Sequence, residues 1–206
     1  MKPVRERVYV VDDEPAVRKA LGRLLRSAGF DVEAFGGPEE FLRGLVPDAA
    51  GCAILDVFMP GLDGLALQEA LAARGLDLTV VFLTGRGDIP RSVRAMKAGA
   101  IDFLTKPVDD EALLSAVRVA MTRSRATREQ RVELAELRAR LASLTARERE
   151  VLEGVAAGML NKQIAGDLGI SEKTVKVHRG RVMEKMEARS LAELVRFADR
   201  LGIRRP

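Results

Sequence analysis

Cysteine and histidine occur once each in these 206 residues. The single thiol, Cys52, cannot close an internal disulfide, and its place in an apolar run reads as a small buried hydrophobe rather than a redox centre. The single imidazole, His178, gives almost no support to a histidine-bound metal. Long apolar runs are also missing. No stretch approaches the roughly 20 residues that span a bilayer, and no early segment joins a basic start to a long apolar run. A cytoplasmic globular protein without membrane attachment is therefore expected.

What is present is 47% hydrophobic residues, enough to bury a core, in a length suited to one large domain or two small ones. Charge is unevenly spread. Residues 1–120 hold 15 Lys and Arg against 18 Asp and Glu, and the remainder holds 19 against 12. An acidic first part and a basic second part suggest two tasks, with an acidic polymer as partner of the second.

The first part alternates short β-type runs (Val8–Val11, Val32–Phe35, Cys52–Leu55, Val80–Leu83, Phe103–Leu104) with helical patterns. The helices start at signals such as Pro38 and stop at Gly29, Gly75 and Gly99. Because the runs are continuously apolar, they predict a parallel sheet covered on both faces. A fifth helical pattern begins at Asp109 and has no clear stop. Residues 122–131 lack Gly and Pro, and Leu134, Leu137, Leu141 and Leu144 then recur at heptad-like spacing. That seam suits equally a dimerising coiled coil and a solvated helix whose leucines dock on neighbouring parts of the chain.

In an open parallel sheet, ligands sit beyond the carboxyl ends of the strands. Asp12 and Asp13 follow the first run, Asp56 the third, Thr84 the fourth and Lys106 the fifth, so all five are expected on one edge. Three clustered carboxylates repel one another unless a hard cation is present, and Mg²⁺ suits such oxygen ligands. A carboxylate can accept a phosphoryl group. Mg²⁺ and a lysine ammonium would neutralise its charge, and the Thr84 hydroxyl would bond its oxygens.

The set Asp12-Asp13, Asp56 within Leu55-Asp56-Val57-Phe58-Met59-Pro60-Gly61, Thr84-Gly85 and Lys106-Pro107 resembles the receiver domain of bacterial two-component response regulators. The resemblance covers about residues 5–121. It implies Asp56 as phosphoacceptor, and a Mg²⁺ ligand set of Asp13, Asp56 and the Phe58 backbone carbonyl, with Asp12 acting through water. It also implies that Lys106 and Thr84 contact the phosphoryl group and that Thr84 and Phe103 form a coupled switch. Phe58 and Arg86 occupy positions that tune phosphate lifetime in that family.

The last part reads as four helices. Thr145 and Glu148 form a capping box, Asn161 and Ser171 cap the next two helices, and Ser190 with Glu193 forms a second box. On the helix after Ser171, Val175, Val182 and Met186 fall on an inward face. Lys173, Lys176, Val177, Gly180 and Arg181 fall on a cationic face suited to a major groove. The segments Leu144–Leu152, Asn161–Ala165 and Ser171–His178 resemble the LuxR-type helix-turn-helix domain, and the whole chain resembles the NarL/FixJ class, nearer its FixJ side. By position, Lys176 and Val177 would read bases, and Lys162, Lys173 and Thr174 would bind phosphates. Gly180 lacks a reader that some relatives carry, which passes that contact to Arg181 or Arg179.

The expected architecture is a flavodoxin-like α/β receiver (residues 1–121), a helical linker (122–143) and an all-α helix-turn-helix domain (144–206). The expected function is a phosphorylation-dependent transcription regulator with Mg²⁺ as cofactor. Its partners would be a sensor histidine kinase, double-stranded DNA, a second copy of the chain and RNA polymerase. The rival readings are a constitutive DNA binder with a scaffold receiver, an aspartyl-phosphate phosphatase, and a protein-interaction adaptor.

Overall fold

A computed structural model of the chain describes residues 6–46, 49–85 and 89–203. They fall into two compact units that divide between Glu129 and Gln130.

In the first unit the strands are β1 (Arg7–Val11), β2 (Val32–Phe35), β3 (Ala50–Asp56), β4 (Asp77–Thr84) and β5 (Asp102–Thr105). Every pairing is parallel and the order is β2-β1-β3-β4-β5. The intervening helices are α1 (Pro15–Ser27), α2 (Pro38–Gly44), α3 (Gly64–Ala73) and α4 (Ile89–Lys97), and α5 (Asp110–Ala142) follows the last strand. Parallel strands need crossover helices, and these cover both faces of the sheet. Tyr9, Val11, Phe41, Leu55, Leu67 and Phe82 build one core layer. Val8, Val10, Leu25, Ile54, Leu83 and Val117 build the other. The period of two along β1 sends alternate residues to opposite layers. Cys52 lies in the second layer, where burial pushes its thiol up to about 12 and keeps it inert.

Two local features bring the strand ends together. Pro15 and Pro38 open α1 and α2, where a missing N–H costs nothing. At the start of α3, a Cβ on Gly64 would stand 2.3 Å from the Asp56 carbonyl oxygen, so only glycine lets that helix begin against the end of β3. The fourth helix departs from the simplest pattern. Of its residues only Ala95 is buried, while Ile89, Val93 and Met96 are 77%, 46% and 46% exposed. It is held through small and polar groups, because Gln68 on α3 donates its amide to the carbonyls of Ala95 and Ala98.

The second unit contains the end of α5 followed by α6 (Ala146–Ala156), α7 (Asn161–Leu168), α8 (Glu172–Lys185) and α9 (Leu191–Arg200). Val151, Leu152, Ile164, Val175, Val182, Met186 and Leu194 form its core. Gly169, at φ 64°, makes the left-handed turn that breaks α7 from α8. The leucine seam is used internally: Leu137 is buried, Leu141 packs against this core and Leu144 belongs to it. Arg140 pairs with Glu187, and Glu133 pairs with Arg200. Leu141 and Leu144 thus dock on the chain's own core.

Two caps differ from expectation. The N-cap of α7 is Leu160 rather than Asn161, with Gln163 accepting the Leu160 N–H. Asn161 is drawn instead to Arg179, whose guanidinium donates to its Oδ1. At α9, Ser190 accepts the Glu193 N–H, but Glu193 takes the N–H of Arg189 instead of closing a box. At α6 the box is reciprocal, with Thr145 and Glu148 each accepting the other's N–H.

Candidate functional site

The carboxyl ends of β1, β3, β4 and β5 converge beside the reversal of strand order. Asp12 and Asp56 are buried there and Asp13 is exposed, with one carboxylate oxygen from each lying within 4.8 Å of the others. Lys106 Nζ donates to Asp12 Oδ2 at 2.6 Å and to Asp56 Oδ2 at 2.7 Å. Burial acts to lower the lysine pKa, but the two carboxylates outweigh it and leave the pKa raised. The remaining oxygens are oriented by backbone. Phe58 N–H donates to Asp56 Oδ1, and Glu14 N–H to Asp12 Oδ1.

Thr84 ends β4 fully buried, and its carbonyl accepts the Lys106 N–H at 2.7 Å. Phe103 is half-buried, pairs with Phe82 across β4 and β5, and has its ring centroid 5.9 Å from that of Phe82. A cavity of about 540 Å³ opens over the cluster, lined by Asp13, Glu14, Asp56, Phe58, Gly85 and Lys106. Oxygen ligands alone and an excess of carboxylate over cation match a hard divalent ion. Arg86, expected to tune phosphate lifetime, lies outside the described residues, as do Gly87 and Asp88.

Sequence reasoning missed three contributors. Glu14 lines the cavity with its carboxylate 3.6 Å from Lys106, and its place directly after Asp12-Asp13 is a signal that could have found it. Arg18 holds the Asp12 carbonyl at 2.6 Å from one turn into α1. Arg91 stacks its guanidinium over the Phe58 ring, 4.5 Å from the centroid, and nothing in the local sequence announces that contact.

The second site is the outer face of α8. Ser171 caps the helix by accepting the Thr174 N–H, and its hydroxyl also bonds that of Thr174. Val175, Val182 and Met186 point inward and are fully buried. Lys173, Lys176, Val177, Gly180 and Arg181 are exposed, as is Lys162 on α7, while Thr174 is half-buried. Arg179 is drawn off that face. It is half-buried, bonded to Asn161, and lines a separate cavity with Met159, Leu160 and Leu191. His178 is half-buried, and its Nδ1 is enclosed without a hydrogen-bond partner.

Comparison with known proteins covers both sites. Residues 8–118 match the response regulator receiver domain, and residues 142–198 match the bacterial regulatory proteins of the luxR family. Nodulation protein W of Bradyrhizobium diazoefficiens is 48% identical over 196 residues, which is 95% of this chain and 86% of that protein. The transcriptional regulatory protein FixJ of Azorhizobium caulinodans is also 48% identical over 196 residues, covering 95% of this chain and 93% of its own length. Among solved structures, the response regulator StyR superposes with a TM-score of 0.84 at 47% identity, over 95% of this chain and 99% of that one. A five-stranded parallel sheet with an acidic, lysine-bridged edge, and a helix-turn-helix unit with a cationic face, thus occur together in one chain, which belongs to the response regulators that join a receiver domain to a LuxR-type DNA-binding domain.

Proposed function

We propose that Asp56 accepts a phosphoryl group from a partner histidine kinase and that this change controls dimerisation and promoter binding. The observation that carries the reading is the Lys106 ammonium bridging Asp12 and Asp56 in an open cavity otherwise rich in carboxylate. Asp12, Asp13, Asp56 and the Phe58 carbonyl would hold Mg²⁺, which supplies charge neutralisation for the incoming phosphoryl group. The chain's own groups do the rest. Asp56 provides the nucleophilic oxygen through Oδ2, with its other oxygen oriented by the Phe58 N–H. Lys106 moves its contact from the carboxylate to the new phosphoryl oxygens, and Thr84 turns its hydroxyl toward them.

Phe103 then follows Thr84 inward, filling the space beside Phe82 and altering the surface of α4 and β5. The exposed Ile89, Val93 and Met96 supply an apolar surface there for a second copy. In the DNA-binding unit, Lys176 and Val177 read bases, Lys162, Lys173 and Thr174 contact phosphates, and Arg181 takes the contact that Gly180 lacks. The bond from Arg179 to Asn161 favours Arg181 over Arg179 for that role, with Arg179 reaching the backbone only by releasing Asn161. Two such helices would engage half-sites about one helical turn apart.

The receiver would comprise residues 1–121, the helical linker 122–143 and the DNA-binding domain 144–206. The protein would act in the cytoplasm as a signalling component loaded once per stimulus, not a turnover enzyme, and would reach RNA polymerase from its promoter. The test is labelling with radioactive acetyl phosphate and Mg²⁺, alongside sedimentation and DNA binding. Wild type should take up about one equivalent, dimerise and bind DNA more tightly. Asp56→Asn should remain folded and take up no label. Normal labelling of that variant would refute the acceptor assignment.

A further inference from the structure

Phe58 is a large apolar side chain left 43% exposed at the mouth of the acceptor cavity, two residues past Asp56. Its backbone is fixed to the carboxylate by the N–H bond to Asp56 Oδ1, whereas its ring has no place in either core layer. A surface ring on two rotatable bonds exchanges rotamers freely unless something holds it. What lies against it is Arg91, from a different element. The guanidinium carbon sits 4.5 Å from the ring centroid, within range of a cation–π contact. Arg91 itself is not among the groups lining the cavity.

We propose that Arg91 is a positioning residue that holds the Phe58 ring as a cover over Asp56 and so lengthens the life of a phosphoryl group carried there. The inference rests on Asp56 being the acceptor. Loss of the group is a hydrolysis. A water oxygen bonds to phosphorus, the bond from phosphorus to the Asp56 oxygen breaks with its electron pair returning to the carboxylate, and the water proton leaves with inorganic phosphate or to solvent. Water that enters the cavity on the side that Phe58 borders passes the ring to reach phosphorus. A ring held in place narrows that entry, and a released ring opens it.

A cation–π contact at an exposed site changes the held-to-released ratio by about two- to five-fold. The full chain is therefore labelled with acetyl phosphate and Mg²⁺, freed of donor, and followed for decay of the label. Arg91→Ala should shorten the half-life by at most that factor, about two- to five-fold when the ring is mostly held in wild type. Arg91→Lys, which keeps the charge but loses the planar stack, should fall between it and wild type. Phe58→Ala should shorten the half-life too, and adding Arg91→Ala to it should change nothing further, as two groups acting as one unit require.

An unchanged or longer half-life in a folded Arg91→Ala chain would overturn the proposal. So would an Arg91→Ala effect of the same size in the Phe58→Ala background, because Arg91 would then act without the ring. A wild-type chain that takes up no label overturns the acceptor reading first, and this inference with it.

Discussion

Each unit contains a lysine held 2.6 Å from a buried carboxylate, Lys106 on Asp12 in the first and Lys185 on Glu148 in the second. The contacts are alike in length and differ in what surrounds them. Lys185 meets one carboxylate, and the same Glu148 oxygen accepts the Thr145 N–H of the capping box. Its charge is balanced one to one and the lysine also reaches the Ser143 carbonyl. Lys106 instead faces Asp12, Asp56 and Glu14, with Asp13 beside them, under an open cavity. Charge there is left unbalanced toward solvent. A lysine–carboxylate contact is therefore uninformative by itself. The surplus of carboxylate, together with room for a ligand, separates a site from a staple.

Removing the lysine at the unbalanced site should have the largest consequence. Lys106→Met deletes the cation that neutralises the transferring group, and loss of one such electrostatic contact typically costs about 10²- to 10³-fold in rate. Initial rates of label uptake from acetyl phosphate measure it, while circular dichroism checks the fold. An uptake rate within a few-fold of wild type would make Lys106 as structural as Lys185 and dissolve the distinction.

The contrast also explains what could be read from the sequence. The parallel sheet and its acidic edge were legible because β1, β3, β4 and β5 are apolar runs followed by chemically distinctive residues, whereas β2, which carries Glu33 and ends at Phe35, has no such mark, and the strand order came only from the pairing. The inward face of α8 was legible because Val175, Val182 and Met186 keep helical spacing. Features that depend on a neighbour distant in sequence were not. The Arg91 guanidinium meets Phe58 only after α4 is placed, and Asn161 is diverted from capping α7 by Arg179, 18 residues away. The leucine repeat was ambiguous because a coiled coil and an intramolecular dock demand the same spacing; the burial of Leu144 and the packing of Leu141 show that its last two leucines dock on the chain's own core.

The outward face of α8 extends the comparison to a site whose partners lie outside the chain. Lys176 is exposed, so its energetic role would appear only with DNA present. Lys176→Ala should weaken specific binding by about 1–3 kcal/mol and leave non-specific binding much less changed, if it reads a base edge. Binding to an operator and to a random duplex across a salt series separates the cases. An equal loss on both, with the salt slope reduced by about one, would reassign Lys176 to a phosphate.

The smallest effect concerns the balanced pair. The Lys185 ammonium, with help from the Thr145 N–H, holds the Glu148 carboxyl down to about 2 from its ordinary 4.5. A carboxyl whose pKa is depressed by folding contributes stability that is fully present above 4.5 and is lost as pH falls through 2. Lys185 is 35% exposed, so solvent screens the pair and its contribution is about 1–2 kcal/mol. Hydrogen exchange of the α6 and α8 amides in the full chain, wild type against Lys185→Met, reads it. The variant should exchange faster at neutral pH by a constant factor, and the gap should close as pH is lowered from 4.5 toward 2. Label uptake at Asp56 should be the same in both chains. A gap that persists below the carboxyl's pKa would mean that Lys185 stabilises the unit through its bond to the Ser143 carbonyl or its packed stem, and not through Glu148.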